Sequence, residues 1–208
     1  KIISGYCSAL IIRTFAQADV EELGAHASIP VINALTDDDH PTQLLADWLT
    51  IRENFGKDIS GRKFVYLGDG NNMSHAWLIM GAIMGAHVVA ATPSGKWAPN
   101  AKVVEIAKNI AANSGGKVEV SHDPEAASKD ASVLYTDVWM SMGDSESERD
   151  EKVLALSPFA VTENLFSLTK KDSIFMHCLP AHRGEEVEAS VIDGPRSVIW
   201  REAYHRRT

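Results

Sequence analysis

Hydrophobic positions in this chain follow two rhythms in alternation: short unbroken apolar runs, and longer stretches in which apolar residues recur every third or fourth position. The run "ALII" is followed by "QADVEELGAHA", whose Val20, Leu23 and Ala27 stand at helical spacing, and then by the strand-like "IPVINAL". Asp39 is placed to cap the next helix. Pro41 fits its first turn, Leu44, Leu45, Trp48 and Leu49 give it an apolar face, and it runs to Asn54. After the connection "GKDISGR" come strand "KFVYLGD", helix "MSHAWLIMGAIMG", strand "HVVAATP", helix "AKVVEIAKNIAANSGG", strand "KVEVSHD", a short helix at "PEAASKD" and strand "SVLYTDVW". Helix "ESERDEKVLALS", a short strand at "FAV", helix "TENLFSLT" and strand "DSIFMHCLP" complete the pattern.

Strands alternating with helices need right-handed crossovers, which give a parallel sheet covered on both faces. The expected fold is α/β, with two doubly wound parallel-sheet domains, the first incomplete. Residues 1–54 form what remains of the first, residues 55–185 the second, and residues 186–208 a tail returning toward the first. The opening "KIISGYCSALIIRTF" reads as a buried segment without an initial Met, and "REAYHRRT" stops inside a helical pattern; pieces are expected to be missing at both ends.

The 208 residues are 45% hydrophobic and 23% charged, enough apolar material for one large core or two smaller ones. A net charge of -8 with 20 scattered Lys and Arg residues argues against a nucleic-acid partner and for a small polar substrate. Two cysteines, Cys7 and Cys178, are too few to staple the chain and fit a reducing, cytoplasmic setting. The longest apolar runs fall far short of the roughly 20 residues of a membrane span, so no membrane partner is expected.

Polar clusters occupy strand ends and helix starts, where open parallel sheets bind their ligands. "LGDGNNM" begins like a dinucleotide fingerprint, but Met73 stands at the third glycine position. Asn71 and Asn72 there either cap a helix or grip the carboxylate and amine of an amino acid. In "HPTQ", His40, Thr42 and Gln43 sit beside the free N–H groups of a first turn and could donate to a carbonyl or phosphate oxygen; plain helix initiation by Asp39 and Pro41 is the alternative. "TDVWMSMG" offers Asp137 to a substrate ammonium, or is a turn. Arg13, ending an apolar run, could bind phosphate bidentately.

"HCLPAHRGEE" poses a sharper question. Neighbouring residues on a strand point to opposite faces, so His177 is badly placed to activate Cys178 as a nucleophile. No metal-ligand spacing accompanies Cys178, with His182 the other candidate nearby, and a buried structural thiol remains open.

Taken in order, "R…HPTQ…GDGNN…D-x-W-x-SMG…HCLP…EA-x-x-R", from Arg13 to Arg206, resembles the ornithine carbamoyltransferases. "HPTQ" is shared with the aspartate carbamoyltransferases; "SMG" and "HCLP" belong to the ornithine branch. The resemblance implies transfer of a carbamoyl group from carbamoyl phosphate to the δ-amine of L-ornithine, with no cofactor and no metal. It assigns Arg13, His40, Pro41, Thr42, Gln43, Cys178, Leu179 and Arg206 to carbamoyl phosphate, and Asn72, Asp137, Ser141 and Met142 to ornithine. Arg13, His40, Cys178 and Arg206 would be the catalytic set. It further implies a homotrimer or higher homo-oligomer with sites between subunits. The family's Ser-Thr-Arg-Thr phosphate loop lies upstream of residue 1 and nothing in residues 1–208 replaces it, so this chain is expected to bind carbamoyl phosphate poorly. "EAYHR" stands where the family usually has Glu-Ala-Glu-Asn-Arg. A carbamoyltransferase for another amine, such as putrescine, and a non-catalytic amino-acid-binding protein are the rival readings.

Overall fold

The computed structural model describes residues 1–140 and 146–207. Strand β1 (Leu10–Arg13), helix α1 (Gln17–His26), strand β2 (Val31–Leu35) and helix α2 (Pro41–Phe55) come first. β1 and β2 pair in parallel, with a register shift between Ile12 and Arg13. With two strands this sheet covers little, and the opening segment is not buried: Ile2, Ile3, Tyr6, Ile11 and Phe15 are all exposed. The helix at 41 starts differently from expectation. His40 is its N-cap residue, and the Asp39 carboxylate instead accepts the His40 N–H at 2.8 Å. Its buried face is Leu44, Trp48 and Ile51, whereas Leu45 and Leu49 point to solvent.

The second sheet is built from β3 (Lys63–Leu67), β4 (His87–Ala91), β5 (Lys117–Ser121), β6 (Val133–Thr136) and β7 (Ile174–His177), all parallel in the order β5-β4-β3-β6-β7. Alternate residues feed two cores, as the pleat requires. Phe64, Tyr66, Val88, Val133, Tyr135, Met176 and Cys178 pack beneath α2, α3 (Asn72–Ile83) and α4 (Ala101–Ser114). Val65, Leu67, Val89, Leu134 and Phe175 pack on the other side against α5 (Pro124–Ser128), α7 (Glu163–Ser167), α8 (Ala189–Ile192) and α9 (Ile199–His205). Helix α6 (Arg149–Leu156) leads into the 3-10 turn Ser157–Phe159, and the strand expected at "FAV" reduces to a bridge from Val161 to Val187. A strand needs a continuous ladder, and Pro158 and the tight turn leave none.

Two glycines set how closely these layers approach. A Cβ on Gly81 of α3 would stand 2.1 Å from a methyl of Val88 on β4, and one on Gly70 would meet the Ala98 backbone at 2.2 Å. The winding reverses at β3, which has β4 on one side and β6 on the other. Such a switch point opens a crevice beyond the strand ends, here between the loops after Leu67 and Thr136.

Candidate active site

The loop after β3 supplies the first wall. Asp69 is held by the buried ammonium of Lys152 on α6 at 2.7 Å, and Asn71 caps α3 by accepting the N–H groups of Met73 and Ser74. The Asn71 carboxamide also receives the Tyr66 hydroxyl at 3.2 Å and donates to Asp137 at 3.3 Å. Asn72 faces away from it and donates to the Thr36 carbonyl at 2.9 Å, on the loop between β2 and α2. The adjacent carboxamides therefore diverge: Asn71 lines the crevice with Asp137, and Asn72 joins the crevice to the first sheet.

Asp137 follows β6 and meets Cys178, which follows β7. The Cys178 thiol donates to one Asp137 oxygen at 2.9 Å, and the Val138 N–H reaches the same oxygen at 2.8 Å. Burial first, and then the Asp137 charge, push the Cys178 thiol well above its ordinary range, so it is a proton donor and not a thiolate. His177 lies on the opposite face as the strand alternation requires. Its Nδ1 accepts the Leu179 N–H at 2.8 Å and its Nε2 faces Glu186 at 3.3 Å. Ser141 and Met142 lie outside the described residues.

The second wall comes from the first sheet and the chain's last helix. His40 sits at the start of α2 with Thr42 Oγ1 3.4 Å from its Nδ1, and Pro41 occupies the first helical position. Burial, with the positive charges of Arg206 and Arg13 adding to it, lowers the His40 pKa to about 4, so the imidazole is neutral at pH 7. Arg13 ends β1 and is itself exposed. Arg206, just past α9, directs its Nε and Nη2 at the Gln43 amide oxygen and donates from Nη2 to the Cys178 carbonyl at 2.8 Å. Gln43, Cys178 and Arg206 are thus brought into direct contact, His40 lies within the field of the Arg206 and Arg13 charges, and Leu179 follows with its N–H already committed to His177.

Sequence reasoning missed the layer behind this wall. Gln43 donates to Asp47 at 2.7 Å and to Glu202 at 3.3 Å, and Glu202 accepts the His177 N–H at 3.0 Å. The signal for Asp47 was its position four residues after Gln43, on the same stripe as Leu44, Trp48 and Ile51; a carboxyl on a buried stripe needs a partner. A separate cluster brings ligand atoms of His182, Glu185 and Glu186 within 4.8 Å of one another, with Glu185 bound by Arg149. Cys178 takes no part in it.

The family model described as the aspartate/ornithine carbamoyltransferase carbamoyl-P binding domain matches residues 1–53, and that for the Asp/Orn binding domain matches residues 60–208. The chain is 52% identical over 206 residues to an ornithine carbamoyltransferase of Pyrococcus horikoshii, covering 99% of this chain and 64% of that protein. An ornithine carbamoyltransferase of Oceanobacillus iheyensis gives 52% identity, with 99% and 63% covered. The chain thus spans slightly less than two thirds of the length of these curated relatives. The solved ornithine carbamoyltransferase of Pyrococcus furiosus superposes with a TM-score of 0.93 at 50% identity, covering 99% of this chain and 64% of that one. That of Gloeobacter violaceus gives 0.90 at 43%, with 99% and 68% covered. On these matches the chain belongs to the aspartate/ornithine carbamoyltransferase family.

Proposed function

We propose that this chain carries most of the machinery for moving a carbamoyl group from carbamoyl phosphate to the δ-amine of L-ornithine, giving citrulline and phosphate. The observation that carries the reading is the double engagement of Cys178. Its carbonyl is held by Arg206 on the cationic side, and its thiol is held by Asp137 on the amine-binding side. An anion seated by Arg13, Arg206 and the first turn of α2 would therefore meet an amine near Asp137 at one residue.

In this reading residues 1–54 serve carbamoyl phosphate, residues 55–185 serve ornithine, and the tail from 186 returns Arg206 to the first site. The neutral δ-amine attacks the carbonyl carbon; a C–N bond forms, the C–O bond to phosphate breaks, and the amine proton leaves with phosphate. Negative charge builds on the carbonyl oxygen, so fixed donors such as His40 and Arg206 are the main device, each contributing about 10²–10³ in rate. Asn72, Ser141 and Met142 complete the ornithine pocket, with Asn72 exchanging the Thr36 carbonyl for substrate. A homotrimer in the cytoplasm is the setting that the family resemblance favours.

A citrulline assay on the full-length protein with ornithine or putrescine as acceptor tests the reading. Citrulline with ornithine is the expected result. No product from ornithine with carbamoyl phosphate present would sink it, and preference for putrescine would move the assignment to another amine.

A further inference from the structure

Behind the cationic wall lies a set of buried groups whose bonding leaves one choice open at each step. Gln43, Asp47 and Glu202 are almost completely buried. The Gln43 amide spends both N–H bonds, one on Asp47 Oδ1 at 2.7 Å and one on Glu202 Oε1 at 3.3 Å, so its oxygen has to face the other way, toward Arg206. Among the described residues Asp47 Oδ2 is buried with no donor in regular hydrogen-bond geometry, although the Tyr135 hydroxyl faces the Asp47 carboxyl. One amide NH2 therefore bridges two buried carboxyl groups, and the two can close on each other by a direct hydrogen bond only if one of them is protonated. Charge points the same way. Two carboxylates against the single guanidinium of Arg206 would leave net negative charge in a buried site, while one shared proton leaves the three groups neutral.

We propose that Asp47 and Glu202 hold one proton between them and act as positioning residues, fixing the Gln43 amide and through it Arg206 for the anionic substrate. The naming of that substrate rests on the carbamoyltransferase reading; the shared proton does not. The relay runs from the His177 N–H through Glu202 to the Gln43 amide, which Asp47 also holds, on to Arg206, and returns to the carbonyl of Cys178 just past the strand where it began. It therefore locks α2, α9 and the end of β7 to one another before any ligand arrives, which removes ordering cost from binding.

The groups facing the pair are Arg206 and the Gln43 amide, the Tyr135 hydroxyl from β6, and the Cys178 thiol and His177 backbone from β7. Burial pushes both carboxyls up, Asp47 to about 7. Asp47 ionises first, while Glu202 still holds its proton, and the second negative charge beside an anionic ligand forms only when Glu202 ionises at higher pH. Affinity for carbamoyl phosphate should then fall by up to about tenfold per pH unit.

The test uses the full-length protein, with calorimetry of carbamoyl phosphate and inorganic phosphate across the pair's titration, and carboxyl-carbon NMR of aspartate-labelled protein. Asp47→Ala should weaken carbamoyl phosphate at least about tenfold. Asp47→Asn, which presents an amide donor to Glu202 in place of the shared proton, should recover most of that loss and flatten the pH slope. In the wild type the carbon signal that vanishes in Asp47→Asn should titrate near neutrality. An asparagine variant as weak as the alanine variant at equal Tm, or an Asp47 carbon titrating in the ordinary carboxylate range, would overturn the proposal. Should the wild type bind neither ligand, the carbamoyltransferase reading fails, and the carbon titration still decides the shared proton by itself.

Discussion

His40 is uncharged at neutral pH and free to serve as a donor or acceptor, because burial and two nearby guanidinium groups oppose its protonation. Its pKa of about 4 lies below the ordinary 6.5, so the folded state is favoured as pH rises through that window and penalised as pH falls through it. The acid limb of kcat/KM for carbamoyl phosphate assigned to His40 should therefore lie near pH 4; a histidine limb near pH 6.5 that disappears in His40→Asn would contradict this. At Cys178 the thiol is a hydrogen-bond donor to Asp137, so its replacement should show in substrate use first. Cys178→Ser should lower kcat/KM for ornithine about tenfold, equivalent to about 1.4 kcal/mol, with less than about 1 kcal/mol lost in stability. Unchanged kinetics with a lowered Tm would return Cys178 to a packing role. The opposed faces of His177 and Cys178 were legible from strand alternation alone. Asp47 was legible only as a carboxyl on a buried stripe in need of a partner, because Glu202 on α9, more than a hundred residues away, comes beside it only in the fold.

Elements were readable where the pattern had one solution. The helix and strand rhythm from Lys63 to Ser121 matches the structure, since runs such as "KFVYL" and "HVVAA" fit a strand buried on both faces. Which stripe of α2 would be buried was less clear. Leu44 and Leu45 satisfy helical spacing equally, and the choice falls to the stripe that also carries Gln43 and Asp47, because their partners lie beneath it. "FAV" has a strand's composition but no neighbour along which to extend. Helix α3 approaches β4 as closely as it does because Gly81 has no side chain. Gly81→Ala should destabilise the fold by about 1–3 kcal/mol through overpacking, despite alanine's better helix propensity, and chemical denaturation would measure it. A stabilised variant would mean that Val88 can move aside.

At the scale of the molecule, α2 acts as a clasp. It belongs to the first segment in sequence, yet its Leu44, Trp48 and Ile51 lie in the core of the five-stranded sheet, with Trp48 stacked on Trp77 at 6.2 Å. Helix α9 closes on it through Arg201 with Glu53, His205 with Thr50, and Arg206 with Gln43. That closure explains how a crevice expected from strand ends becomes a site shared by both ends of the chain, which pattern alone could not reveal. It also gives the two thiols opposite accessibilities, Cys7 exposed and Cys178 buried under a hydrogen bond that keeps its proton. In the folded 208-residue chain an alkylating reagent should consume one equivalent at once, at Cys7, and a second at the rate with which α2 and α9 part. If both thiols react together the clasp is open at rest; if the second is slow, and slower still with anion bound, its labelling rate becomes a clock for how often the site breathes.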